Sequence, residues 1–307
     1  CNFYMPIFEE ALDAYGLPLE LRYLPIIESA LNPSAVSRAG ASGLWQFMIG
    51  TGKIYGLESN SLVDERRDPI KATWAAARYL KEMYDIYGDW NLVIAAYNCG
   101  PGTINKAIRR ANGETDYWKI YNYLPKETRG YVPAFIAANY VMTYYCDHNI
   151  CPMETNIPAS TDTVQVNKNL HFEQIADLCN VPLDQIKSLN PQYKKLMIPG
   201  DGKPYTLRLP IDAISTFIDK QDTIYAHRAD ELFRNRKTVA VKDITPATRK
   251  TATAVSGKGN LTYHTIKSGD TLSTIAGKYG VTIKDIQRWN GMSNTKIAAG
   301  KRLKIYK

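Results

Sequence analysis

The first half of the chain shows a succession of helical patterns of apolar and polar positions. Apolar residues recur at three- and four-residue spacing through residues 7–15, between Pro6 and Gly16, and this spacing places them on one helix face. Proline and glycine boundaries of the same kind enclose the later patterns. They predict further helices at residues 18–32, 45–55, 69–87, 91–98 and 126–145. Residues 1–152 are therefore expected to form a mainly α-helical domain.

After residue 151 the pattern changes to short alternating segments mixed with short helices, and it occurs twice. Ile175, Ala176, Val181, Ile186 and Asn190 recur one hundred residues later as the same residue types at 275, 276, 281, 286 and 290. Such a repeat indicates two copies of one small unit. Each copy is predicted as an α+β domain with the order βααβ, at residues 160–215 and 259–307. Residues 216–258 between them are polar and predict a flexible linker.

Composition and charge narrow the class of partner. The chain has 307 residues, is 45% hydrophobic and carries a formal net charge of +8, which suits nucleic acid, an anionic membrane surface or the carboxylate-bearing bacterial cell wall. Lys and Arg are scattered and form no nucleic-acid motif, whereas 21 Tyr and 5 Trp favour stacking on sugars. We therefore expect no nucleic-acid partner. An apolar run of about 18 residues, as a membrane span requires, does not occur, nor does a signal-peptide pattern at the N-terminus.

Five cysteines are present, without a CxxC pair or a metal-ligand spacing. No metal and no cofactor are therefore predicted. Cys146 and Cys151 flank a predicted turn and either form a disulfide or remain free thiols. Cys1 is either the acylated first residue of a lipoprotein or simply the boundary of the sequence.

Glu28 is the strongest candidate for a catalytic acid. It follows the apolar run Leu24–Ile27 at the end of a predicted helix, just before a polar loop that leads to Gly43–Gln46. A carboxyl group held against apolar residues has a raised pKa, which keeps it protonated near neutrality. A second acidic cluster alternates with arginines and predicts a solvated ion-pair network instead. It consists of Asp64, Glu65, Arg66, Arg67 and Asp68.

Three separated motifs resemble the goose-lysozyme-like (SLT) domain of soluble lytic transglycosylases. They are ESALNPSAVSRAGASGLWQ at 28–46, AYNCGP at 96–101 and ETRGYV at 127–132. The two repeats resemble LysM modules, which that family also carries. The resemblance implies a lysozyme-like helical domain that cleaves the β-1,4 bond between N-acetylmuramic acid and N-acetylglucosamine in peptidoglycan. Cleavage proceeds without water and leaves a 1,6-anhydromuramic product, so the enzyme is a carbon–oxygen lyase.

The resemblance also assigns roles to residues in the three motifs. Glu28 is the single acid and base, because the sugar's own hydroxyl is the nucleophile and a second carboxylate is not needed. The implied substrate-binding residues are Ser37, Gln46, Tyr97, Asn98, Glu127 and Tyr131. Five of the six have a structural alternative: Ser37 caps its loop, Gln46 lies at the surface, Glu127 pairs with Arg129, and both tyrosines pack in the helical core.

The LysM resemblance implies binding of N-acetylglucosamine by the second copy. Its implied glycan-binding residues are Gly269, Asp270, Thr271, Leu272 and Ile275. The first copy departs from the pattern, with His171, Phe172 and Glu173 in that region and Pro191 after Asn190. Its sugar binding is therefore left open.

The expected partner is the glycan strand of peptidoglycan, and we expect a monomer in the bacterial cell envelope. The expected location is the periplasm, with a lipid anchor to the outer membrane, at Cys1 or upstream, as an open alternative. Two other functions remain open from the sequence. A hydrolytic muramidase would share the catalytic domain, and a non-catalytic wall-binding protein would need only the LysM copies.

Overall fold

A computed structural model describes residues 3–151, 157–158, 160–234, 261–266, 270–290, 292, 297 and 300–306. The chain divides into two compact units, Cys1–Pro246 and Ala247–Lys307. The first unit contains the helical domain and the first repeat, and the second unit contains the second repeat. This arrangement of a mainly α-helical domain followed by small domains with strands confirms the predicted fold class.

Residues 3–151 are helical, with short 3₁₀ turns between some of the helices. Apolar side chains from these helices meet in one core around Trp45, Phe8, Leu12 and Leu80, which are inaccessible to solvent. The helices are α1 (Met5–Ala14), α2 (Leu24–Ser29), α3 (Ile49–Ile54), α4 (Pro69–Tyr87), α5 (Trp90–Cys99), α6 (Pro101–Arg110), α7 (Tyr117–Ile120) and α8 (Lys126–Thr143).

Two helix predictions differ from the structure, and helices α6 and α7 had no prediction. The helix predicted at 18–32 is a 3₁₀ turn, Leu19–Tyr23, followed by the short α2, and it ends because Ala30 adopts a left-handed backbone. The helix predicted from residue 45 begins at Ile49, since residues 45–48 belong to the preceding loop. Helix α6 was not predicted, although Pro101 at its start and buried Ile104 and Ala107 carry the signal.

The first repeat forms a βααβ unit with an extra pair of short strands. Strand β1 (Thr161–Val166) pairs antiparallel with β4 (Tyr205–Pro210), with Val164 opposite Leu207. Strand β2 (Asn169–His171) pairs with β3 (Met197–Pro199). Helices α9 (Phe172–Cys179) and α10 (Leu183–Leu189) cover the β1–β4 pair and bury Ile175 and Ile186.

The second unit repeats this order. Strand β5 (Leu261–Thr265) pairs antiparallel with β6 (Arg302–Tyr306), and α14 (Leu272–Tyr279) and α15 (Ile283–Asn290) lie between them in the chain. The repeated asparagine has the same task in both units. Asn190 Nδ2 donates to the carbonyls of Ile186 and Arg208 at 2.9 and 2.8 Å. Asn290 does the same to Ile286 and Lys304 at 2.8 and 2.9 Å.

Part of the segment predicted as a linker is folded. Helices α11 (Ile211–Asp219), α12 (Gln221–Ala226) and α13 (Ala229–Leu232) occupy the start of residues 216–258 and the residues just before it. They pack on the first repeat because Phe217 and Ile224, seven residues apart, are buried in its core. The linker prediction is therefore wrong for residues 216–232, and residues 235–258 lie outside the described part of the chain.

Two further observations concern features weighed from the sequence. Within the described ranges, each helix is too short or too polar to cross a membrane. Cys99, Cys146, Cys151 and Cys179 are free thiols, and Cys146 and Cys151 are exposed, so the described cysteines form no disulfide.

Candidate active site

Glu28 lies in the last turn of α2, where the helix passes from the core to the surface. Leu24 and Pro25 at the start of α2 are buried, whereas Glu28 is half-buried. The Tyr131 hydroxyl, from α8, donates a hydrogen bond to Glu28 Oε1. The first and third motifs therefore meet at this carboxyl group, although 103 residues separate them in the chain.

The surroundings raise the pKa of Glu28 to about 7. Burial is the largest cause, since it disfavours the charged carboxylate. The hydrogen bond from Tyr131 opposes this effect, because it stabilises the charged form, and the negative charge of Glu127 adds to it. Near neutral pH the carboxyl group is thus balanced between donating and accepting a proton, as an acid and base catalyst requires.

The side chains of Tyr97 and Tyr131 lie near Glu28, and both phenol groups keep their protons. Burial raises the pKa of each phenol well above its ordinary value, and the nearby charge of Glu28 adds to both shifts. The Tyr97 hydroxyl donates to the Trp45 carbonyl at 2.7 Å, and its ring packs on Tyr79 with centroids 5.5 Å apart. Both hydroxyls therefore act as hydrogen-bond donors at the site.

Asn98 connects the second motif to the third. Its Oδ1 accepts a hydrogen bond of 2.8 Å from the hydroxyl of Thr128, which is buried near the start of α8. This contact joins the end of α5 to the helix that supplies Tyr131. The hydrogen bond to Asn98 Oδ1 therefore fixes the position of α5, which carries the second motif, relative to α8, which carries the third.

The loop between α2 and α3 carries Ser37 and Gln46. Ser37 is exposed, and its Oγ accepts from the Ala41 N–H at 3.0 Å, which is the loop-capping alternative. Gln46 Nε2 donates to the Gly43 carbonyl at 2.8 Å and to the Ala35 carbonyl at 3.3 Å. The described hydrogen bonds of both side chains thus stay within the loop, and neither is with Glu28.

The acidic cluster behind this loop is an ion-pair network, but it is buried rather than solvated. Asp64 receives a bidentate ion pair from Arg66, with Nε–Oδ1 and Nη2–Oδ2 distances of 2.9 and 2.8 Å. The side chains are only 2% and 6% exposed. Asp68 accepts from the N–H groups of Ile70 and Lys71 and caps α4. The sequence missed this burial because charge alternation alone does not report it.

Glu127 is exposed at the start of α8, close enough to Glu28 to raise its pKa. The alternative pairing with Arg129 is not what the structure describes. The Arg129 guanidinium donates to the carbonyls of Leu124 and Asn122 at 3.0 and 2.8 Å and lies over the Tyr121 ring.

The implied glycan-binding residues of the second unit have different surroundings. Leu272 and Ile275 are 2% and 1% exposed, and their side chains belong to the small apolar core. Asp270 is half-buried and pairs with His264 Nε2 at 3.0 Å, and Thr271 is exposed. Gly269 lies outside the described residues.

Sequence reasoning missed the structural roles of two residues that shape the site. Ser29, next to Glu28, donates to the Leu44 carbonyl at 2.9 Å and ties α2 to the loop. Arg66 Nη1 donates to the carbonyls of Gly40 and Phe47 at 2.8 and 2.9 Å and so holds both sides of the same loop. These roles depend on contacts between distant segments, for which the sequence carries no local signal.

Three domain families match parts of this chain. The transglycosylase SLT domain matches residues 5–120. The LysM-like domain of the lytic transglycosylase MltD matches residues 160–226, and the LysM domain matches residues 264–305. The chain is therefore a homologue of the lytic transglycosylases that join an SLT domain to LysM domains, which confirms the resemblance seen in the motifs.

Individual relatives agree with this assignment. The membrane-bound lytic murein transglycosylase D of Escherichia coli (strain K12) is 32% identical over 294 residues, which cover 94% of this chain and 60% of that protein. The chain thus spans about 60% of the length of this relative. The soluble lytic murein transglycosylase of the same organism is 33% identical over 124 residues, covering 38% of this chain and 19% of that protein.

Among solved structures, the 70-kDa soluble lytic transglycosylase of Escherichia coli matches with a TM-score of 0.41 and 29% sequence identity. The match covers 47% of this chain and 24% of that chain.

Proposed function

We propose that this protein is a peptidoglycan lytic transglycosylase that cleaves the β-1,4 bond from N-acetylmuramic acid to N-acetylglucosamine and forms a 1,6-anhydromuramic end. The observation that carries the proposal is the half-buried Glu28, with a pKa of about 7 and a hydrogen bond from Tyr131. The homology to lytic murein transglycosylases supports the same substrate class.

In the first step, protonated Glu28 donates its proton to the glycosidic oxygen. The bond from the muramic C1 to that oxygen breaks with its electron pair on the oxygen, so N-acetylglucosamine leaves with a free hydroxyl and C1 carries positive charge as an oxocarbenium ion. Glu28 has a proton to donate because burial keeps a large fraction of its carboxyl group neutral near pH 7. The Tyr131 hydroxyl then stabilises the carboxylate that remains.

In the second step, the Glu28 carboxylate removes the proton from the C6 hydroxyl of the same muramic residue. The C6 oxygen bonds to C1 and closes the anhydro ring, while Glu28 regains its proton. No water is consumed, so one carboxyl group serves both steps. Ser37, Gln46, Tyr97, Asn98 and Glu127 are proposed to line the sugar-binding cleft around it.

The LysM unit is proposed to bind N-acetylglucosamine-containing glycan, with Gly269, Asp270 and Thr271 as the candidate contacts. A weak module beside a catalytic domain raises the local concentration of a repetitive polymer. We place the protein, as a monomer, in the periplasm of the bacterial envelope.

The test is digestion of purified peptidoglycan followed by mass spectrometry of the soluble products. We expect muropeptides that are one water lighter than the hydrolytic products. Muropeptides with reducing muramic ends would instead identify a hydrolytic muramidase and overturn the proposal.

The matched variant is Glu28→Gln, which keeps the size and the acceptor oxygen of the side chain. We expect it to lose product release by at least about a hundredfold, as removal of a general acid does, while binding to the wall stays unchanged. Unchanged release by this variant would exclude Glu28 as the catalyst. A chain that binds the wall but releases nothing would be a non-catalytic wall-binding protein.

A further inference from the structure

The catalytic domain and the first LysM-like domain are joined through their backbones within the first unit. The Asp64 N–H donates to the Gln192 carbonyl at 2.8 Å, and the Lys194 N–H donates to the Leu62 carbonyl at 2.7 Å. Val63 and Tyr193 form the antiparallel bridge between these two bonds. Residues 62–64 and 192–194 thus pair like a short two-stranded sheet.

Side chains of the same segment extend this contact into the core of the LysM-like domain. Leu62 and Val63 are 2% and 0% exposed, and both belong to the apolar cluster of the LysM-like domain rather than to that of the helical domain. At the rim, Glu58 accepts from the Tyr205 hydroxyl at 3.0 Å and pairs with Lys203 at 2.6 Å. The catalytic domain therefore supplies part of the core of its neighbour.

This paired segment continues directly into the buried ion pair behind residues 37–47 of the loop between α2 and α3, called the substrate loop below. Asp64 binds Arg66 through two hydrogen bonds and lies 3.8 Å from the Lys194 ammonium. Arg66 in turn holds the carbonyls of Gly40 and Phe47. A continuous chain of contacts thus runs from residues 192–194 to the loop that carries Ser37 and Gln46.

The same contacts affect what the LysM-like domain can bind. The carbonyl of Gln192 and the N–H of Lys194 lie in the segment that follows α10, and both are already paired with the catalytic domain. A ligand could use these backbone groups only by separating the two domains. These backbone groups of the first repeat are therefore unavailable to a ligand while the two domains remain in contact.

We propose that the first LysM-like domain acts as a clamp that positions the substrate loop, residues 37–47, through Val63, Asp64 and Arg66. Asp64 and Arg66 are positioning residues: they fix the loop and do not touch the reacting atoms. The catalytic consequence of the clamp rests on the proposed function, whereas the order of the loop does not.

Hydrogen–deuterium exchange of the full chain tests the clamp without reference to activity. Val63→Ala shortens the side chain that enters the LysM-like core, and Val166→Ala is its matched control. Val166 is also 0% exposed and lies in the same apolar cluster, but on strand β1. We expect faster exchange at residues 37–47 in Val63→Ala, by about tenfold, and near-normal exchange there in Val166→Ala. Equal effects of the two variants would overturn the proposal.

A second pair of variants covers the case in which Val63→Ala does not fold. Lys194→Met removes the ammonium near Asp64 and the 2.8 Å hydrogen bond to the Asn60 carbonyl, whereas Lys194→Arg keeps a cation there. We expect Met, but not Arg, to raise exchange in the loop. Exchange unaffected by Lys194→Met would contradict the clamp.

Kinetics on peptidoglycan then link the clamp to catalysis. With the loop loosened, we expect kcat/KM of Val63→Ala to fall by about tenfold relative to Val166→Ala, since misplaced binding groups cost turnover. Failure of the wild-type chain to release anhydro products would refute the proposed function and leave the exchange result standing. Normal kinetics in a variant with a loosened loop would refute the positioning role.

Discussion

At the scale of single residues, the site is governed by competition around Glu28. Burial raises its pKa, and the charge of Glu127 raises it further, while the Tyr131 hydroxyl lowers it. Burial is the larger effect, so the group titrates at about 7 rather than at its ordinary value of 4.5. The raised pKa also lowers the free energy of unfolding once the pH exceeds 4.5, because this carboxyl group ionises more easily in the unfolded chain than in the folded one.

Glu28→Gln should therefore stabilise the protein, but only where the carboxyl group would be charged. Below pH 4.5 both states are protonated. Between pH 4.5 and 7 the unfolded state loses its proton first, so the wild type loses stability as the pH rises. From the shift of 4.5 to about 7 we expect a gain of about 3 kcal/mol in the free energy of unfolding at pH 8 and little gain at pH 4.

Denaturant unfolding at the two pH values measures this difference. Glu10→Gln on α1 is the control, since Glu10 is exposed and is not among the groups that shift the pKa of Glu28. An equal gain for Glu28→Gln at pH 4 and pH 8 would show that folding does not raise the pKa of Glu28.

The two neighbours of Glu28 should move the pH profile in opposite directions. In the proposed mechanism the acid form of Glu28 is the active form for the first step, so kcat/KM should fall as the pH rises through the pKa of Glu28. Tyr131→Phe removes the hydrogen bond that lowers this pKa, so the fall of kcat/KM on the alkaline side of the pH profile, its alkaline limb, should shift to higher pH. Glu127→Gln removes a charge that raises it, and the limb should shift to lower pH.

Initial rates of anhydromuropeptide release across the pH range check both shifts. Glu10→Gln should leave the limb in place. Shifts of Tyr131→Phe and Glu127→Gln in the same direction would mean that Glu28 does not set the profile.

At the scale of elements, the loop between α2 and α3 depends on one glycine. Gly43 has a φ of +87°, and a Cβ atom there would lie 1.7 Å from the Arg66 carbonyl oxygen. Gly40, in the same loop, also has a φ of +87°, but a Cβ atom there would meet open space. Substitutions at the two glycines therefore distinguish the cost of backbone strain from the cost of a steric clash.

Gly40→Ala should cost about 1 kcal/mol, since alanine tolerates the left-handed backbone poorly. Gly43→Ala should cost about 4 kcal/mol or more, because the clash with Arg66 is with the backbone and cannot be relieved by a rotamer change. Unfolding free energies of the two variants test this difference. Similar costs would show that the loop can move away from Arg66.

The limits of prediction from sequence are clear at this scale. Helix α4 has the predicted bounds because Pro69 and Gly88 mark its ends, and local signals of this kind are readable in sequence. Tyr131 is a candidate site residue only through the family motif, and its hydrogen bond to Glu28 is visible only in the structure. The burial of the Asp64–Arg66 pair and the folding of residues 216–232 onto the first repeat were not foreseen. Both depend on surfaces supplied by distant segments, which hydrophobic spacing does not report.

At the scale of the whole molecule, charge is distributed unevenly between the two units. Residues 247–307 contain 12 Lys and Arg against two Asp, a net charge of +10, and residues 1–246 therefore carry −2 of the total of +8. Lys278, Lys301, Arg302 and Lys304 are among the exposed residues of the second unit. The basic character noted in the whole sequence is thus a property of the LysM unit.

We expect the second unit to bind the acidic wall polymer by electrostatic attraction in addition to sugar recognition. Exposed charges are screened beyond about 10 Å at 0.1 M salt, so binding to purified sacculi should weaken as salt increases. Replacing Lys278, Lys301 and Lys304 together by Gln should lower the affinity by about three- to tenfold at low salt and reduce the salt dependence.

The matched control carries the same change of charge on the other unit. Lys106, Arg109 and Arg110 are exposed on α6, and their replacement by Gln should leave sacculus binding nearly unchanged, because the first unit is already close to neutral. Both sets are measured in the Glu28→Gln background, so that the proposed activity does not digest the wall during sedimentation. Equal losses from the two sets would mean that binding follows the net charge of the chain, and the LysM unit would then have no special electrostatic role.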